Sequence, residues 1–130
     1  MALTRDVFAA WLGRYVAAWR SYDPSDIGDL FSERAVYSYR AGTRVVEGRR
    51  AIVESWLADP DEPGTWHAHY EPLAIDREVH VAIGTSRYLD ADGAVRDEYS
   101  NIFVCRFDAD GRCSSFTEWW MRTREAAEPT

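Results

Sequence analysis

The chain has 130 residues, 46% of them hydrophobic, with six Trp, seven Tyr and five Phe; this describes one domain, long enough to bury roughly two-thirds of the surface exposed by its unfolded chain. A net charge of −7 with no basic run disfavours nucleic acid, because nothing is present to displace counterions from a phosphate backbone. No apolar stretch has the length of a membrane span, and Asp6 before and Arg14 within the apolar run 7–19 break the pattern of a signal peptide.

Residues 4–22 place Phe8, Trp11, Leu12, Tyr15, Trp19 and Tyr22 on one stripe in three- and four-residue steps, which predicts an amphipathic first helix. Asp23-Pro-Ser-Asp26 starts a second, short helix, with Asp23 as cap, Pro24 in the first turn and Ile27, Leu30 and Phe31 inward. Residues 35–39 alternate as a strand and return through a turn at 40–43 to a short strand at 44–46, ended by Gly48. A third helix is predicted over 49–58, with Ile52, Trp56 and Leu57 inward, followed by a Pro- and Asp-rich loop. From Trp66 onward the chain reads as strands and turns.

Three hairpins connect these strands. The turns are expected at Asp76-Arg77, at Asp90-Ala-Asp-Gly93 and at Asp108-Ala-Asp-Gly111, pairing Ile75 with Glu78, Leu89 with Ala94 and Phe107 with Arg112. Carrying the two-residue side-chain period through the turns puts His67, His69, His80, Ala82, Gly84, Ser86, Tyr99, Asn101, Phe103, Phe116, Glu118 and Trp120 on one face. Val81, Ile83, Ile102, Val104, Trp119 and Met121 fall on the other. In this register Cys105 and Cys113 face opposite ways and cannot bridge, consistent with a reducing cytoplasm. Helices followed by a mostly antiparallel sheet make an α+β layer fold. One face packs on the helices; the other is apolar enough to predict a homodimer packed sheet against sheet.

This element order, together with Gly13-Arg-Tyr15, Gly48-Arg-Arg-Ala-Ile52 and Cys105-Arg-Phe-Asp-Ala-Asp-Gly-Arg112, resembles the nuclear transport factor 2-like superfamily, also called SnoaL-like or ketosteroid-isomerase-like. The resemblance spans residues 6–122. It implies a single domain with its core over about 4–123 and a flexible tail at 124–130. The implied architecture is a cone-shaped, mixed, mostly antiparallel sheet wrapped around three helices as an α+β barrel, with a deep pocket and dimers through the outer face. Fold alone does not assign chemistry. Tyr15 matches the isomerases' oxyanion-hole tyrosine, but Tyr39 and Phe103 stand where their base and acid would be, which excludes steroid isomerisation by that mechanism.

Residues 19–26, Tyr39, His69 and Asn101 are similar to the active-site segments of scytalone dehydratase. That likeness implies His69 as a base oriented by Asp23, Tyr22 and Tyr39 as hydrogen-bond donors to a developing charge, and Asn101 orienting the substrate; the inward position of Glu118 beside Asn101 adds a second orienting group. Tyr15, Trp56, Tyr99, Phe103, Phe116 and Trp120 would line the pocket. Read by residue type alone, Asp23 is a helix cap before it is a catalytic group, His69 is equally a buried structural histidine, and Glu118 is either a structural partner of Asn101 or an acid–base group with a raised pKa. His67 and His69 have the spacing of two metal ligands, but no third ligand motif supports a metal; the two Asp-Ala-Asp-Gly segments lack the first calcium ligand and are turns. The expected function is that of a cofactor-free lyase or isomerase acting on an apolar or aromatic carbonyl metabolite. The alternatives are a ligand-binding domain without chemistry, and a dimerisation domain whose pocket is filled by its own aromatics.

Overall fold

The computed structural model describes residues 1–124, the side chain of Arg124 excepted; the tail expected at 124–130 otherwise lies outside the described residues. The elements are α1 (Arg5–Ser21), α2 (Pro24–Gly28), β1 (Phe31–Arg40), β2 (Thr43–Glu47), α3 (Arg49–Ala58), β3 (Trp66–Asp76), β4 (Val79–Leu89), β5 (Val95–Phe107) and β6 (Cys113–Arg124). The six strands form one open sheet in the order β2-β1-β6-β5-β4-β3, not a closed barrel. The β1–β6 pair is parallel and the other pairs are antiparallel.

The helices begin and end where the local chemistry dictates. Thr4 caps α1 by accepting from Val7 N, and Tyr22 closes it in the left-handed region at φ 49°. Phe8, Trp11, Leu12, Tyr15 and Val16 bury the inner stripe of α1. Against it lies the concave face of the sheet, where Phe31, Phe103, Phe107 and Phe116 are almost wholly buried. Phe116 is the centre of this layer: Tyr15 stacks on it at 5.4 Å and Tyr37 at 4.5 Å between ring centroids.

Each expected hairpin forms, with different pairing near its turn. Both Asp-Ala-Asp-Gly loops are type I turns closed by a glycine at φ 81° (Gly93 and Gly111). Leu89 pairs with Val95 and Phe107 with Cys113; a further shift in each ladder restores the expected faces for most of β4, β5 and β6. One consequence corrects the cysteine expectation. The shift beside Phe107 carries Cys113 into the core next to Cys105, where both thiols are buried and free and burial pushes the Cys105 thiol up.

The register of β3 also departs from the expected one. The β3–β4 turn is Arg77-Glu78, pairing Asp76 with Val79, and the ladder slips by one residue between Pro72 and Ala74. That bulge inverts the faces of β3 before Leu73. Trp66, Ala68 and Tyr70 therefore face inward, while His67 and His69 are exposed.

Candidate functional site

Between the open end of the sheet and helices α1 and α3 lies a cavity of about 420 Å3, above the ~300 Å3 at which small-molecule pockets begin. Its wall is formed by Tyr15 and Trp19 of α1, Tyr37 and Tyr39 of β1, Ser55 and Trp56 of α3, Tyr70 of β3, Ser86 and Tyr88 of β4, Asn101 of β5 and Glu118 of β6. Arg44, Val45, Val46, Tyr22, Asp59 and Asp61 complete its edge. A pocket filled by its own aromatics would leave no such volume, so the aromatic side chains line this space and do not close it.

Glu118 is the carboxyl at the sheet wall. It neighbours Phe103 across the β5–β6 ladder, and its charge is felt by Tyr15, Tyr37, Tyr39, Tyr70 and Tyr88. Burial among these rings pushes its pKa up to about 7, against the opposing effect of a hydrogen bond from the Asn101 side chain. Ser86 Oγ donates to Asn101 Oδ1 at 3.1 Å, which turns the amide nitrogen toward the carboxylate. Across the cavity the Tyr15 and Tyr37 hydroxyls are 2.9 Å apart. The pair holds two protons and shares one hydrogen bond, so one hydroxyl proton remains available to a bound oxygen. Burial raises both phenols well above their ordinary range, which keeps them neutral donors.

The expected Asp23–His69 dyad does not form. The Asp23 carboxylate caps α2, accepting from Ser25 N at 2.8 Å and Asp26 N at 3.3 Å. His69 is turned by the β3 bulge to the exposed side opposite Thr85, where it lines an open groove beside α1. No hydrogen bond or ion pair joins the two among the described residues. Asp23→Ala is thus expected to cost about 1 kcal/mol of stability as a lost cap, and His69→Ala to stay within about 0.5 kcal/mol of the parent. Calorimetric titration of a cavity ligand, with urea unfolding alongside, should show unchanged affinity in both variants; weakened binding in either would restore the dyad.

The two expected phenol donors are also committed elsewhere. Tyr39 lies 2.5 Å from Ser55 Oγ, whose own proton goes to Ile52 O at 2.9 Å, so Tyr39 donates to Ser55. The Tyr22 hydroxyl donates to Asp61 Oδ2 at 3.5 Å and accepts from Asp61 N at 2.8 Å, which pins the α3–β3 loop to the end of α1. Tyr15, Trp56, Asn101 and Glu118 line the cavity as expected. Phe103 and Phe116 are buried beneath it, and Tyr99 packs edge-on against Trp120 at 5.6 Å on the same face, neither of them lining it. Tyr37, Tyr70 and Tyr88 were absent from the expected set. For Tyr70 the usable signal was Pro72, since proline inside a strand pattern marks an edge or a bulge. Among the described residues, no three His, Cys, Asp or Glu side chains gather as a metal site, and no helix is long and apolar enough to cross a membrane.

A family model of the SnoaL-like domain matches residues 12–116. The chain belongs to this family. The SnoaL-like fold is seen also in the crystal structure of a nuclear transport factor 2-like protein of unknown function from Cytophaga hutchinsonii. That protein is 18% identical, with a TM-score of 0.60 over 87% of this chain and 98% of its own. No curated protein matches in sequence. The matched segment contains every cavity residue named above except Glu118, which lies two residues beyond its end.

Proposed function

We propose that this SnoaL-like domain is a lyase or isomerase that moves a proton on a small, apolar or aromatic carbonyl compound by acid–base chemistry alone, with Glu118 as the proton-transferring group. The observation that carries the reading is the Glu118 carboxyl, buried among phenols at a cavity wall and held up to about 7, where acid and base forms are both populated near neutrality. Ionised Glu118 takes the proton from the carbon beside the carbonyl. The free hydroxyl proton of the Tyr15–Tyr37 pair hydrogen-bonds to the carbonyl oxygen as negative charge collects there. Protonated Glu118 then returns the proton, to another carbon in an isomerisation or to a departing hydroxyl in an elimination. Asn101 keeps the carboxyl aimed throughout.

The test is proton exchange. In deuterated buffer, 2-tetralone incubated with the protein should lose its α-proton signals faster than with buffer or with Glu118→Gln. Binding of the ketone without exchange above background would leave a ligand-binding domain and remove the catalysis.

We also propose that the chain is a cytoplasmic homodimer. Support comes from the outer sheet face, where Trp119 is 49% and Met121 68% exposed beside the half-buried Val81, Ile83, Ile102 and Val104. Native mass spectrometry should give twice the mass of the 14.9 kDa chain; a monomer at micromolar concentration would refute the dimer.

A further inference from the structure

Among the described residues the cavity has one cationic side chain at its edge, and its setting is unusual. Arg44 sits in the left-handed region at φ 49°, a conformation that a long side chain rarely adopts without compensation. The register of the β1–β2 ladder sets it opposite Tyr39, and its guanidinium carbon lies 5.1 Å from the centre of the Tyr39 ring. The ring is itself fixed, because its hydroxyl is tied to Ser55 on α3. The turn before Arg44 is held as well, through Ala41 N to Glu118 O at 3.1 Å. Arg44 is thus held at the cavity edge without an ion pair: no carboxylate lies within salt-bridge distance of it among the described residues, in a chain with 22 acidic and 15 basic residues.

We infer that Arg44 receives the carboxylate of an acidic ligand whose apolar or aromatic body fills the cavity. A guanidinium backed by an aromatic face keeps its planar fork open on the other side, the geometry that matches a carboxylate. A phosphate dianion fits less well. Asp59 and Asp61 at the cavity edge oppose a second negative charge, and among the described residues no further cation lines the cavity. Val45 and Val46 beside Arg44 and the rings of Tyr37 and Trp56 deeper in offer the apolar surface that the body of such an acid needs. Below neutrality Glu118 is mostly protonated, so at pH 6.5 an anion at the edge meets reduced repulsion from within. Within the proposed function, which this inference rests on, the substrate class narrows from carbonyl compounds to aromatic or cyclic keto acids.

Two probes of equal shape separate the contributions: 2-naphthoate, which is charged, and 2-acetonaphthone, which is not. Calorimetric titration at pH 6.5 and low ionic strength should show naphthoate bound about tenfold more tightly by the parent than by Arg44→Gln, with acetonaphthone unchanged. The naphthoate advantage should shrink as salt is raised, since the pair is exposed. Equal weakening of both probes, or a parent that prefers the ketone in the same ratio as the variant, would overturn the assignment while leaving the cavity a ligand site. A parent that binds neither probe would overturn both readings together. Proton spectra of the aromatic region on the same samples show whether Arg44→Gln keeps the parent fold; should it not, the salt dependence of naphthoate binding by the parent decides alone.

Discussion

Glu118→Gln is expected to abolish proton exchange on a bound ketone and, at the same time, to make the protein more stable at pH 8. The sign follows from the direction of the shift. Glu118 titrates near 7 in the folded protein and near 4.3 in an unfolded chain. The folded state therefore holds the proton more tightly, and the stability it confers is complete below about pH 4.3 and is lost as pH rises through about 7. Above that, the folded protein carries a buried carboxylate whose cost is on the order of 3 kcal/mol, and glutamine removes it while keeping the shape and the hydrogen bond to Asn101. His80 works in the opposite direction. Burial lowers its pKa, and its Nε2 accepts from Leu3 N at 2.9 Å, so its contribution is present above about 6.5 and lost on acidification. Because His80 titrates in both proteins, the difference between parent and Glu118→Gln isolates Glu118. Urea unfolding at pH 4 and pH 8 should show near-equal stabilities at the lower pH and a more stable variant at the higher. A variant less stable than the parent at pH 8 would mean that the carboxylate is favourably paired.

Gly84→Ala should be among the most damaging single-methyl additions in this chain. Gly84 pairs with Tyr70 across β3 and β4, and a Cβ at Gly84 would come within 2.0 Å of His69 O and 2.5 Å of the Tyr70 ring. Backbone cannot yield as a flexible side chain does, so β3 must move. A loss of about 3 kcal/mol is expected, the upper range for overpacking. Binding should weaken too, because Tyr70 is a cavity wall and hydrogen-bonds Ser86, which orients Asn101. Urea unfolding and titration with 2-tetralone measure both; a variant within about 0.5 kcal/mol of the parent would show that β3 is not held against Gly84.

The same strand shows where sequence reading succeeds and fails. The helices were legible because their spacing and caps are local: Asp23 with Pro24 starts α2, and α3 occupies the expected 49–58. The inner positions of β4, β5 and β6 were legible because paired shifts in each ladder cancel. One uncompensated bulge beside Pro72 exchanged His69 for Tyr70, and with it the nature of the site. A histidine–aspartate pair expected from resemblance gave way to a carboxyl among phenols. The hydroxyl partners of Tyr22 and Tyr39 were not legible at all, since Asp61 and Ser55 are distant in sequence and meet them only in the folded chain.

The proposed chemistry requires that Glu118 exchange its proton near neutrality. Carbon-13 spectra of protein labelled at glutamate carboxyls, with the Glu118 signal assigned from its loss in Glu118→Gln, should give a midpoint near 7. In Asn101→Leu, where the hydrogen bond to the charged form is gone, the midpoint should move higher still. A parent Glu118 titrating near the ordinary 4.3 would contradict the account, for the carboxyl would then be a solvated anion with no proton to exchange at neutrality.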